Sequence, residues 1–126
     1  MSKYPYRNST DVPWTVAGKT GQQFTFLGAV FSIAKAKLIL AKTPHDIQGF
    51  DFSALCGWAG PHGLIRVDHT KLGDNIIMTI PVIVATVNSE PIVIDGWHRI
   101  AKQCRDGGEA FGVRLTEAET KKVRLW

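Results

Sequence analysis

Pro91-Ile92-Val93-Ile94-Asp95-Gly96-Trp97-His98-Arg99-Ile100, running on to Asp106-Gly107-Gly108, is the stretch that decides the fold. A β-branched apolar run stops at Asp95-Gly96, and a basic pair, His98-Arg99, opens a helical pattern over Gly96 to Arg105. Ile100, Ala101 and Cys104 fall three and four apart and share the expected inward face. Gly107 or Gly108 supplies the stop. A buried strand that turns at a glycine directly into a helix brings free backbone N–H groups and basic side chains to one point. That point suits an anion, above all a phosphate.

Immediately upstream, Ile76 to Val87 reads as a strand, broken or bulged at Pro81, which cannot donate to a ladder. Asn88-Ser89 makes a tight turn and Pro91 to Ile94 returns, which predicts a hairpin. Downstream, Phe111 to Leu115 is a further strand. Thr116-Glu-Ala-Glu119 is a capping-box signature that starts a final helix ending near Leu125. Towards the N-terminus, Leu64 to Asp68 is a short strand, and residues 43 to 63 are loop-like, with Pro44, Gly49, Gly57, Gly60, Pro61 and Gly63. Ser32 caps a helix over Ile33 to Lys42, stopped by Pro44. Gln23 to Leu27 alternates as a first strand. Residues 1–22 are rich in turn formers and form an irregular arm, so 23–126 is the single domain. The expected class is α+β: a compact domain with a small mixed β-sheet flanked by helices.

At 126 residues, 44% hydrophobic and 21% charged, the chain suits one soluble globular domain. Its formal charge of +4 and pI near 9.3 permit a nucleotide or nucleic-acid partner without requiring one. Lys121-Lys122 with Arg124 reads as the solvated face of the last helix, with a DNA-backbone contact as the alternative. The apolar run from Ile76 to Val87 is shorter than the roughly 20 residues a membrane helix needs. Met1 to Arg7 holds no apolar signal core. A cytoplasmic protein without a membrane partner is the expectation. Cys56 and Cys104 stand in no C-x-x-C spacing and are expected as reduced thiols, Cys104 buried on its helix. The four histidines, His45, His62, His69 and His98, match no zinc spacing.

Ile94-Asp-Gly-Trp-His-Arg-Ile-Ala101, preceded by a hairpin and followed by a helix, Gly108, a strand and Thr116-Glu-Ala-Glu-Thr120, resembles the ParB/sulfiredoxin superfamily. The likeness covers residues 64 to 126. It implies a compact mixed sheet with helices around it, and a strand–glycine–basic-pair–helix loop that holds nucleotide phosphates. By that likeness Gly96 allows the turn, N–H groups of Trp97 to Arg99 face the phosphates, and His98 and Arg99 supply donors and charge. ATP or CTP, with Mg²⁺, is the implied ligand. Where sulfiredoxins carry a catalytic cysteine before the His-Arg pair this chain has Trp97, which removes support for sulfinate reduction. No helix-turn-helix segment follows within the sequence.

Asp95 stands beside the loop and is expected to hold Mg²⁺, orient His98, or cap the helix. Asp46 and Asp68 are the other carboxylates considered for taking a proton in phosphoryl transfer. Trp97 reads as core filling, with stacking on a base as the alternative. Three functions fit these residues. The first is nucleotide binding, with hydrolysis or phosphoryl transfer (a triphosphatase or kinase) as its extension. The second is a nucleic-acid-binding or nuclease module using the same loop. The third is a non-enzymatic protein-interaction module, of antitoxin or immunity type, from a plasmid or phage.

Overall fold

A computed structural model of the chain describes residues 6–14, 23–26, 28–50, 59–60, 65–66, 80–106 and 110–125. A 3₁₀ turn at Ser9–Asp11 precedes β1 (Gln23–Phe26), β2 (Ala29–Ser32), α1 (Ile33–Lys42) and β3 (Gln48–Phe50). Then come β4 (Ala59–Gly60), β5 (Ile65–Arg66), β6 (Val82–Val87), β7 (Glu90–Asp95), α2 (Trp97–Asp106), β8 (Ala110–Arg114) and α3 (Glu117–Val123). The class is α+β, as the sequence predicts.

The main sheet has the order β3-β8-β6-β7. β6 and β7 form the expected antiparallel hairpin, with a bulge between Ile83 and Val84. Asn88 and Ser89 both take positive φ, 50° and 68°, the backbone twist that tight hairpins favour. β8 runs parallel to β6 on its other side and antiparallel to β3. β6 is buried at every residue from Val82 to Thr86, so both faces of this inner strand are covered, as its unbroken apolar sequence demands.

α1 and α3 pack on one another, and α3 packs on β6. The core cluster joins Phe31, Ile33, Ala36 and Leu40 from the α1 side to Ile83, Ala85, Ile94, Val113, Leu115 and Val123. α2 contributes to a separate set of buried residues, Trp97, Ile100 and Ala101, and packs on β8 and β4. Ser32 caps α1 as expected, its hydroxyl accepting from Lys35 N at 3.3 Å. Thr116 and Glu119 form the capping box of α3. Thr120 then ties α3 to the sheet: its hydroxyl accepts from Thr86 N (2.9 Å), while the Thr86 hydroxyl donates to Leu115 O (2.8 Å).

Several elements depart from the sequence reading. Of the strand expected over Ile76 to Val87 with a break or bulge at Pro81, the described part is β6, which starts just after that proline, a residue with no N–H for the ladder; residues 76–79 lie outside the described residues. The supposed loop 43–63 contains β3 and β4. These strands are too short to show a pattern, and β3 is held by β8, some sixty positions along the chain. β2 has no counterpart among the strands the sequence predicts; it completes a hairpin with β1 through Gly28 at φ +83°. Within the supposed irregular arm, residues 6–14 are docked, the 3₁₀ turn packing on α1. Cys104 is exposed and disulfide-bonded, not a buried thiol. It stands on the last turn of α2, past the buried Trp97, Ile100 and Ala101, where covalent bonding engages the sulfur instead of packing. Cys56 lies outside the described residues. No helix among the described residues is long and apolar enough to cross a membrane.

Candidate functional site

The β7–α2 junction is built as the sequence predicts. β7 ends at Asp95, Gly96 takes φ +102°, and α2 begins at Trp97. Gly96 is required twice over. Its φ lies in the left-handed region that side chains avoid. A Cβ placed there would also stand 2.5 Å from Val82 Cγ1 and 2.9 Å from an Arg99 guanidinium nitrogen. The Gly96 carbonyl accepts the first helical bond, from Ile100 N at 3.0 Å. The N–H groups of the first turn have no partners within the helix, and that end of α2 carries the positive pole of its dipole.

Arg99 folds back across this turn, as side chains on a helix lean towards its N-terminus. Its Nη2 lies 3.6 Å from Asp95 Oδ2 and donates to Pro81 O at 3.2 Å. Both side chains of the pair are largely buried, 18% and 16% exposed. Asp95 is therefore Arg99's partner. Held by a cation of the protein itself, Asp95 does not fit a dedicated Mg²⁺ ligand. Trp97 is buried, and its indole N–H donates to Val93 O at 2.9 Å. This is the packing role expected of it. The side chain of His98 and all of Asp68 lie outside the described residues.

Asp46 does not converge on this turn. It is exposed and bridges to Asn8 through the backbone. It follows His45, whose ring contacts Glu119, the residue before Thr120; Thr120 bonds Thr86. Gly96 faces Val82 at the other end of β6. Four residue steps along the strand, on the order of 13 Å, separate Val82 from Thr86.

That second end holds a polar cluster which sequence reasoning missed. His45 Nε2 lies 2.7 Å from Glu119 Oε1, and Nδ1 lies 2.7 Å from Thr43 O. Both ring nitrogens thus face oxygen atoms. The backbone N–H of His45 donates to Ser9 Oγ (2.9 Å), and that hydroxyl donates to Thr43 O (3.0 Å). Ser9 N donates to His45 O (2.9 Å), and the Trp14 indole donates to Ser9 O (2.8 Å). Burial acts to raise the Glu119 carboxyl's pKa. The hydrogen bond from His45, the bonds at Thr116 and the charge of His45 outweigh burial and hold it below its ordinary value.

Serine, histidine and glutamate meet here, but not as a nucleophile triad. The Ser9 hydroxyl is fully buried and committed to backbone groups, and it does not face the imidazole ring. The cluster clasps the N-terminal 3₁₀ turn, the end of α1 and the start of α3. The one signal for it in the sequence is the Thr116–Glu119 capping box, whose glutamate Oε1 accepts from Thr116 N and also meets His45. Among the described residues, no group of three or more His, Cys, Asp or Glu side chains is placed to hold a metal ion.

No protein-family model, no curated protein and no solved structure matches the chain.

Proposed function

We propose that the β7–α2 turn binds the phosphates of a nucleoside triphosphate, ATP or CTP, with Mg²⁺ carried on the phosphates rather than in a protein cluster. The observation that carries this reading is the left-handed Gly96 between a strand end and a ten-residue helix. It leaves the first N–H groups of α2 directed out of the turn, where an anion is stabilised. Arg99, braced by Asp95 and Pro81 O, adds fixed positive charge beside them; His98 is the side chain assigned to the ligand. The order hairpin, glycine turn, helix, strand and capped helix supports the resemblance to the ParB/sulfiredoxin superfamily on which the nucleotide reading draws. The reading stops at binding, because Asp95 is held by Arg99 and Asp46 lies at the far end of β6. A cytoplasmic setting goes with a nucleotide ligand, while the disulfide at Cys104 pulls towards an oxidising one.

Thermal unfolding with ATP, ADP, CTP and GTP, each with Mg²⁺, tests the proposal. A ligand at 100 times its Kd adds about 2.7 kcal/mol, a rise of several degrees in Tm for a domain of this size. We expect that rise with ATP or CTP and its loss in His98→Ala. No rise with any nucleotide, or an undiminished rise in His98→Ala, overturns the reading.

A further inference from the structure

Away from this turn, the charge of the molecule is concentrated in one place. α1 carries Lys35, Lys37 and Lys42; α3 and the residue that closes it carry Lys121, Lys122 and Arg124. Glu117 and Glu119 are the only acidic residues on these segments. The surplus equals the formal +4 of the entire chain; the other nine basic and nine acidic residues cancel. Both carboxylates are engaged elsewhere. Glu119 meets His45, and Glu117 accepts from Ser89 N at 3.2 Å.

The two helices lie side by side and antiparallel. Phe31, just before α1, bridges to Arg124, just after α3, and Leu125 N donates to Val30 O at 2.7 Å. At the other end, His45 after α1 meets Glu119 in the first turn of α3. Ile33, Ala36 and Leu40 of α1 and Thr120 and Val123 of α3 face inward. Lys35, Leu38 and Lys42 then form one outer stripe at i, i+3 and i+7, while Lys121 and Lys122 are exposed on α3. Among the described residues no ion pair engages Lys35, Lys42, Lys121 or Lys122. Leu38 and Leu125, the exposed large hydrophobic residues among those described, belong to the same two segments.

We propose that the outer faces of α1 and α3 together dock the phosphate backbone of a nucleic acid. Four uncompensated lysines on a surface about 15 Å long, the length of a ten-residue helix, complement a polymer whose negative charges recur every few ångströms. An anionic membrane fits less well. Interfacial helices bury a broad apolar face, and here the apolar sides of α1 and α3 are already spent on the core. No base contact is implied, so the binding is sequence-independent.

Fluorescence anisotropy with a labelled duplex of about 20 base pairs, titrated across salt concentrations, tests this. Four neutralised phosphates predict that log K falls against log salt with a slope near −3.6, from about −0.9 per phosphate. The variant Lys35→Gln/Lys42→Gln/Lys121→Gln/Lys122→Gln, whose glutamines keep helix propensity, is expected to lose most of the affinity and nearly all of the slope, with an unchanged circular-dichroism spectrum. His98→Ala is expected to bind the duplex as the unaltered chain does, which separates this surface from the phosphate turn. Absent duplex binding at low salt overturns the proposal. So does an unchanged slope in the folded quadruple variant, or binding of polyglutamate or of phosphatidylserine vesicles as tight as that of the duplex.

Discussion

The two ends of β6 each carry a side-chain pair of a basic and an acidic residue in a largely buried setting, and they are made in opposite ways. At the Val82 end, Asp95, Gly96 and Arg99 come from five consecutive residues, and the strand–glycine–helix turn by itself brings positions i and i+4 together. At the Thr86 end, Ser9, Thr43, His45 and Glu119 come from segments up to 110 positions apart, and only the finished fold assembles them. The local pair fixes the shape of one turn. The distant one fastens three separate elements. A short-range contact thus sets the geometry of the candidate site, while a long-range contact holds the frame around it.

The largest effect is expected at the local end. Gly96→Ala must adopt a strained φ and push its methyl group into Val82, so a loss of about 3 kcal/mol or more is expected by denaturant unfolding. Arg99→Ala comes next. It leaves Asp95 and Pro81 O without their donor, at a cost of roughly 2 kcal/mol, and lowers Tm by several degrees in the absence of any ligand. An Arg99→Ala protein as stable as the unaltered one would mean that the brace is not structural, which breaks the comparison at that end.

The distant end responds through pH as well as through mutation. His45→Ala removes the donor to Glu119 and Thr43 O and is expected to cost about 1–2 kcal/mol near neutrality. Glu119's carboxyl is held below its ordinary value of 4.5. Its contribution is therefore complete above that value and is lost as pH falls through the lower, folded-state value. The difference in stability between the unaltered chain and His45→Ala should shrink as pH falls below the ordinary carboxyl value of 4.5. A difference that stays constant over that range would show that the carboxylate is not what the imidazole holds.

The contrast also explains what could be read in advance. The hairpin, the Gly96 turn, α2 and the capped α3 are encoded within short windows: a β-branched run, a glycine, i/i+4 apolar spacing, and a Thr-x-x-Glu box. The docked 3₁₀ turn, β3 and the His45–Glu119 pair have no local signature, since each depends on a partner far along the chain. Even at the legible end, the sequence suggested three roles for Asp95, and the one it takes, pairing with Arg99, follows from the direction in which a helical side chain leans. Cys104 misled for a similar reason. Its spacing from Ile100 fits an inward face, but the last turn of α2 exposes it and a disulfide takes the sulfur.

The strand order β3-β8-β6-β7 carries one more consequence, for the order of synthesis. β8 is an inner strand, flanked by β3 and β6, although it follows both in the chain. A nascent chain that has reached only α2 holds two open strand edges with nothing yet to fill the gap between them. Unpaired edges of that kind invite association with other chains. The order β3-β8-β6 can be completed only once β8 is present, and the contacts that α3 then makes, Thr120 with Thr86 and Glu119 with His45, come from still later residues.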